Sequence, residues 1–526
     1  MKALRKYIPF FTSAFLMCIL LLIIYPHYQY YIDPDGTSYL TISRRYATGD
    51  IARAINGYWS PWACWLTAGL MKLGMAAISA SVVINACAAT GFLYISQLLF
   101  LRFGIVRRLQ WLLCGASATF LCYAIFWQSF DDLWECFFLL AALRVMLGKT
   151  FTQKPMLWVL YGFLGGLAYY AKAYSFPFFI LNTLVCVYFL CKDDKARWLR
   201  ISLASIMVML FVAHFWIVAL HEKYHIWTTS TAGPLNTSWY LVGHPFWKEG
   251  IGLLLPPAYP DSPYYWEDPY LVNGITPHFW SSWHLFGLQF VRIGINIFKF
   301  IISNVQLSIF FPFIFIAGLA LFYKKSVTIM FAGDVKTLVR SFLLFPLGYL
   351  LVNFESRYLW YMLPIAMVMA GLVIQYFVPK KRRKLIMVLF AVSFIAYPLW
   401  GMYKMYDEGK QEYELAGLLR TKGIIGTFTS DAMPGIESQR MERLAYFSGN
   451  NYYAVNRLDT GNLNEEISKY HLDYCIVCMY QGNEDDMAHR TPRDTKGNPY
   501  PEILDERFLN SFLLGKCMRI AVFKLH

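Results

Sequence analysis

Long apolar runs recur along most of the chain, among them Ile8 to Tyr25, Ser81 to Leu101, Leu109 to Phe126, Ile201 to Leu220 and Leu385 to Met402. A helix of about 20 apolar residues crosses the roughly 30 Å hydrocarbon core of a bilayer, and in lipid only intra-helix bonding satisfies every backbone N–H and C=O of a single segment. The expected fold class is therefore a polytopic α-helical membrane protein. A composition of 57% hydrophobic and 15% charged residues over 526 positions is too apolar for an ordinary soluble protein. The net charge of +14 does not indicate nucleic acid, because Lys and Arg fall mainly in short gaps between the apolar runs, which is the positive-inside pattern.

The signs of these gaps give a topology. Lys2, Arg5 and Lys6 precede the first run, which has no small-x-small cleavage site and reads as an uncleaved first span with a cytoplasmic N-terminus. Arg102, Arg107 and Arg108, then Lys149 and Lys154, then Lys192 to Arg200, then Lys324 and Lys325, then Lys380 to Lys384 mark further cytoplasmic ends. Between them lie spans at 133–147, 156–170, 176–191, 305–322, 341–352 and 358–378, for a count of about eleven, which leaves the C-terminal part outside. The transmembrane part is expected over 1–403, with a first external loop at 26–80 and a long external loop at 221–302, the latter ending in an interfacial segment at 284–302. From 404 to 526 short β-like runs (Ile424 to Phe428, Tyr474 to Met479, Met518 to Lys524) alternate with helix-like ones, a pattern expected of an external soluble α/β domain. Cys475 and Cys478 form a CxxC with no second pair at zinc-site spacing, so they read as strand residues.

The most polar stretch beside a span is YIDPDGTSYLTISRRYATGDIARAINGYWSP, from Tyr31 to Pro61. Asp33-Pro34-Asp35-Gly36 is a turn by composition, which projects two carboxylates from a stiff bend. An isolated turn of this kind also serves as a cap whose aspartates accept from backbone N–H groups. From Thr37 to Ile55 the apolar spacing predicts a helix lying in the membrane interface. The same side collects Lys172, placed in the otherwise uncharged GGLAYYAKAYSFP, and Glu355 with Arg357 in the last outer turn. An ionisable residue in such a setting is a functional hypothesis, with snorkelling as the alternative for Lys172 and an ion pair to Glu355 as the alternative for Arg357. Carboxylates on one wall and Lys and Arg on another suit a substrate with a hydroxyl to deprotonate and a phosphate to release. Membrane embedding makes that phosphate a lipid's, and the chemistry suggested is glycosyl transfer from a polyprenyl-phosphate sugar.

The run D-P-D-G-T-S-Y-L-x-I-x-R-R-Y-x-x-G-D followed by A-I-N-G-Y-W-S-P resembles the first external loop of bacterial membrane glycosyltransferases of the GT-C superfamily, relatives of the lipid A aminoarabinose transferases and protein O-mannosyltransferases. G-x-x-Y-x-x-K from Gly166 to Lys172 and R-Y-L-W-Y-M-L-P from Arg357 to Pro364 are similar to two further motifs of that group. The resemblance implies an external active site, an inverting transfer and a polyprenyl-phosphate sugar donor. It implies a catalytic role for Asp33, with Asp35 as the rival, and phosphate contact by Lys172 and Arg357; Arg44 is a further candidate for donor binding. Asn56, Tyr58, His244 and Glu355 are the candidate substrate contacts. No cofactor is required by this reading; a divalent cation would find hard oxygen ligands in Asp33 and Asp35, but no further clear ligand follows. The implied acceptor is a lipid, glycan or protein hydroxyl met outside the cytoplasm, and the implied location is a bacterial inner membrane with the active site and C-terminal domain facing the periplasm or exterior. A transporter or flippase of lipid-linked glycans is the alternative reading, against which stand the polar first loop on one side only and the lack of duplicated halves.

Overall fold

The computed structural model describes residues 2–127, 131–242, 253–273, 277–313, 316, 334–432, 436–455, 463–480, 491–494, 496–507 and 517–525. They fall into two compact units: Met1–Gln29, Ser43–Leu241 and His278–Tyr406 form one, and Tyr30–Ile42, Val242–Pro277 and Asp407–His526 the other.

The first unit is helical. Its elements are α1 (Lys2–Arg5), α2 (Ile8–Tyr28), the second half of α3 (Pro34–Thr48), α4 (Ile51–Ala54), α5 (Pro61–Lys72), α6 (Ala77–Arg102), α7 (Arg107–Phe126), α8 (Asp132–Met146), α9 (Pro155–Ala171), α10 (Ser175–Leu190), α11 (Lys195–Tyr224), α12 (Ala232–Val242), α14 (Trp283–Leu307), α15 (Asp334–Leu344), α16 (Leu347–Val352), α17 (Met362–Tyr376) and α18 (Lys380–Met405). Among the described residues seven helical segments are long and apolar enough to cross a membrane, and α10 and α17 are shorter apolar helices. The other segments expected to span are α8 and α9, of 15 and 17 residues, and 305–322, of which 314, 315 and 317–322 lie outside the described residues. Exposed Leu22, Phe211 and Phe298 give α2, α11 and α14 apolar outer faces, which suit hydrocarbon and not water.

Packing inside this unit follows residue size. Gly162 and Gly166 lie one turn apart on α9, where a Cβ would collide with the Ser205 carbonyl and the Val212 side chain of α11. Small residues at that spacing let two membrane helices approach closely. α9 accordingly packs along α11 and also along α8, while α7 packs against α18 and α2. From Met362 to Leu372 every residue of α17 is buried, so it is an interior helix.

The second unit is built on a six-stranded sheet of order β1-β3-β2-β4-β6-β5, with β1 Leu254–Leu255, β2 Thr427–Ser430, β3 Asn451–Val455, β4 Tyr474–Tyr480, β5 Glu502–Arg507 and β6 Cys517–Lys524. β2 pairs in parallel with β3 and β4, and the outer pairings are antiparallel. Its helices include α13 (Pro269–Asn273), α19 (Lys410–Thr421), α20 (Ile436–Ser448) and α21 (Leu463–Tyr470). Leu254, Ile467, Leu472, Cys475, Val477 and Phe523 form a core against the sheet. The CxxC falls on β4, and Cys475 is buried there.

Two expected boundaries move for identifiable reasons. The helix expected over 37–55 starts at Pro34, because Pro suits the first helical position, and it stops at Gly49, whose φ of +90° ends the turn. The strand expected from Ile424 begins at Thr427, since Gly423 (φ +70°) and Gly426 (φ +153°) carry the turn from α19.

Candidate active site

Asp33 is buried and caps α3: its Oδ1 accepts from the Gly36 N–H at 2.9 Å, and its carbonyl accepts from the Thr37 N–H at 2.9 Å. The capping alternative for this turn is therefore realised, and it holds the carboxylate at a helix N-terminus, where the backbone dipoles favour negative charge. Asp35 is half-buried in the first turn of the same helix. Both belong to the second unit, where Tyr264 reaches the turn with its hydroxyl, donating to the Pro34 carbonyl and sharing a hydrogen bond of 2.9 Å with Ser38 Oγ. Glu442 of α20 is buried too, with Oε1 accepting from Ser438 at 3.2 Å and no hydrogen-bond partner for Oε2 among the described residues. Burial pushes its carboxyl up to about 8, and the charges of Asp35 and Asp33 push the same way against Ser438 and Arg443.

Lys172, Arg357 and Glu355 come together in the first unit. Lys172, at the C-terminal end of α9, pairs with Asp132 at the start of α8; the Asp132 side chain is 2% exposed. Arg357 Nη1 lies 3.7 Å from the other oxygen of Asp132, and Arg357 Nε is 2.9 Å from Glu355 Oε2. Both cations lie over the Tyr358 ring, at 4.7 and 5.5 Å from its centre, and Tyr358 stacks on Tyr349 at 4.0 Å. One turn into α8, Glu135 accepts from Ser175 at 2.9 Å and from Tyr349 at 3.4 Å.

A second pair of cations joins them through Asn353. Its Oδ1 accepts from Arg292 at 2.7 Å and Lys299 at 3.0 Å, while its amide donates to Glu355 at 3.3 Å. The Tyr240 ring lies 4.3 Å from Arg292. Gln289, Arg292, Asn296 and Lys299 share one face of α14 by helical spacing, and the first three donate to the carbonyls of Leu351, Val352 and Leu350. Those are end carbonyls of α16, which a helix terminus otherwise leaves without partners. The cluster thus gathers Lys172, Arg357, Arg292 and Lys299 around Asp132 and Glu355, an arrangement able to hold an anionic group. Asp132, Arg292, Lys299 and Asn353 were not among the candidates from sequence; the spacing of Arg292 and Lys299 on an apolar helix was the available signal.

The remaining candidates lie elsewhere. Asn56 is buried and closes its own turn, its Oδ1 accepting from the N–H groups of Tyr58 at 2.9 Å and Trp59 at 3.0 Å. Tyr58 donates to Asn236 at 2.9 Å. Arg44 is exposed on α3, whereas its neighbour Arg45 is buried and pairs with Asp50 at 3.0 Å. His244 lies outside the described residues. Among the described residues no group of three or more His, Cys, Asp or Glu side chains is arranged to hold a metal ion.

Helices of membrane-spanning length and a sheet-containing C-terminal region define a polytopic α-helical membrane protein. The fold is similar to that of ArnT, a lipid A aminoarabinose transferase, from Cupriavidus metallidurans. The likeness extends over 97% of both chains, with a TM-score of 0.52 and 12% identity, to the structure bound to undecaprenyl phosphate and equally to the apo state. The Archaeoglobus fulgidus oligosaccharyltransferase in complex with zinc and sulfate is also similar, over 84% of this chain and 62% of its own, at a TM-score of 0.46 and 13% identity. No protein-family model and no curated protein matches the sequence.

Proposed function

We propose that the chain is a membrane glycosyltransferase that moves a sugar from a polyprenyl-phosphate carrier to a hydroxyl on the outer face of a bacterial inner membrane. The observation that carries this reading is the cluster of Lys172 at the end of α9, Arg357 in the turn after α16, and Arg292 and Lys299 on one face of α14, in an apolar unit. Four cations ordered by two carboxylates, an asparagine and tyrosine rings suit the phosphate of a lipid whose chain lies in the bilayer. The ArnT structure of the same fold is bound to undecaprenyl phosphate, and the proposal extends that donor class to this protein.

In the proposed reaction Asp33 takes the proton of the acceptor hydroxyl, and the hydroxyl oxygen attacks the anomeric carbon from the side opposite the phosphate. The bond from that carbon to the phosphate oxygen breaks, and polyprenyl phosphate leaves with the electron pair. A single displacement of this kind inverts the anomeric centre. As the sequence resemblance implies, Lys172 and Arg357 offset the charge developing on the leaving phosphate, and we assign Arg292 and Lys299, which donate to Asn353, to the same phosphate. The cap at Gly36 gives Asp33 a fixed orientation, the preorganisation that a general base needs, while Asp35 is the rival two residues away. Arg44 is assigned to the donor, and Asn56, Tyr58, His244 and Glu355 to substrate contacts.

The test is transfer of labelled sugar from a mixed pool of undecaprenyl-phosphate sugars to a crude envelope acceptor by purified wild type, Asp33→Asn and Asp35→Asn. Loss of about 10²-fold or more in Asp33→Asn alone, with both variants folded, is the expected result. Loss in Asp35→Asn alone moves the base by two residues, and full activity in both removes the general-base assignment.

A further inference from the structure

The segment that carries Asp33 and Asp35 does not cluster with the helices that flank it in sequence. Tyr30–Ile42 joins Val242–Pro277 and the C-terminal part in the second unit. Two side chains from those distant segments hold the backbone on either side of Asp33. Arg443 of α20 donates to the carbonyl of Ile32 at 3.4 Å, and the Tyr264 hydroxyl donates to the carbonyl of Pro34. The Arg443 side chain is only 4% exposed and is compensated by Glu408 at 2.8 Å and Glu412 at 3.9 Å. Burying a guanidinium costs desolvation that a solvated helix face would avoid, and here the buried group is aimed at the peptide before Asp33. Tyr264 is fully buried, and its partner Ser38 also has its Oγ 3.1 Å from the Trp266 carbonyl. Behind the turn, Gly409 adopts φ +85° and packs so closely on the Tyr30 carbonyl that a Cβ would collide with it, while the Tyr30 ring lies 4.8 Å from that of Tyr413.

We infer that Arg443 and Tyr264 are positioning residues for Asp33, so that the C-terminal part of the chain seats the aspartate turn as well as forming a domain of its own. Their side chains hold the peptides before and after the carboxylate, and the Gly36 N–H holds the carboxylate itself. A simple stapling role would stabilise the unit as a whole; a positioning role loosens only the turn when it is removed and reduces turnover more than substrate binding. The inference rests on the reading of the Asp33 turn as the proton acceptor.

The experiment uses the full chain in lipid nanodiscs, as wild type, Tyr264→Phe, Arg443→Lys and Arg443→Gln, and measures amide hydrogen exchange together with kcat and KM on the pool of undecaprenyl-phosphate sugars. The expected result for Tyr264→Phe and Arg443→Gln is exchange raised about tenfold over 30–42 with the amides of β2 and β4 within about twofold of wild type. The kcat is expected to fall about tenfold or more with donor KM within about twofold, and Arg443→Lys to recover part of it. Tyr264→Phe keeps the ring and so remains informative where Arg443→Gln fails to fold. Exchange that is unchanged over 30–42, or raised equally across the sheet, overturns the inference, and so does local loosening with kcat unchanged. If wild type turns over no donor in the pool, the glycosyltransferase reading fails, and the exchange pattern alone supports or overturns the seating of the turn.

Discussion

Lys172 and Asp132 meet across 40 residues of sequence, and that separation explains what sequence could and could not disclose. A lone lysine in an apolar stretch is conspicuous, so Lys172 stands out, and so does Arg357; Asp132 follows Asp131 in the chain, and nothing local ties it to Lys172 before α8 packs along α9. Lys172→Met alone leaves a carboxylate at 2% exposure without its nearest cation, which costs about 3 kcal/mol or more. The double change Lys172→Met with Asp132→Asn recovers a large part of this loss in thermal unfolding of detergent-solubilised protein; a lysine that merely snorkelled would leave the single variant within about 0.5 kcal/mol of wild type. Glu442 is the converse case, since it sits in the charged helix sequence IESQRMERLAYFS and reads as solvated. Burial raises its carboxyl from an ordinary value near 4.5 to about 8. The native state therefore keeps a proton that the unfolded chain has lost, and stability falls as pH rises between about 4.5 and about 8. Glu442→Gln is expected to remove this component of the slope, seen as a flatter dependence of unfolding temperature on pH across that window; an unchanged slope would show that Glu442 does not hold its proton there.

At the scale of elements, the apolar runs placed most helices within a few residues, because lipid forces backbone bonding inside each segment. The sheet was only partly legible: β1 is two residues contributed from the long loop, and no local pattern marks Leu254–Leu255 as the edge partner of β3. The G-x-x-Y-x-x-K motif now has a packing account. Gly166 admits α11, Tyr169 donates to the Thr229 carbonyl at 2.7 Å, and Lys172 ends the helix beside Asp132. Gly166→Val inserts a branched side chain where α11 already stands, so it is expected to cost about 1–3 kcal/mol and to raise donor KM by displacing Lys172. Comparing unfolding temperature and donor KM with those of Gly69→Ala, at a site with open space, checks it; equal effects from both would refute the close-approach account.

Across the whole molecule, the basic gaps predict which side each end occupies. A reporter that is active only outside the cytoplasm, fused after His526, is expected to be active, and the same reporter placed after Lys384 inactive; the reverse would invert the topology. The central claim is that a polyprenyl-phosphate sugar is cleaved and not carried across. Liposomes holding the purified protein and an undecaprenyl-phosphate sugar, supplied with envelope acceptor, measure both at once. The account predicts one undecaprenyl phosphate released for each sugar transferred, with the release lost in Asp33→Asn and reduced in Lys172→Met. Donor lipid that moves between leaflets while its bond to the sugar stays intact would contradict it.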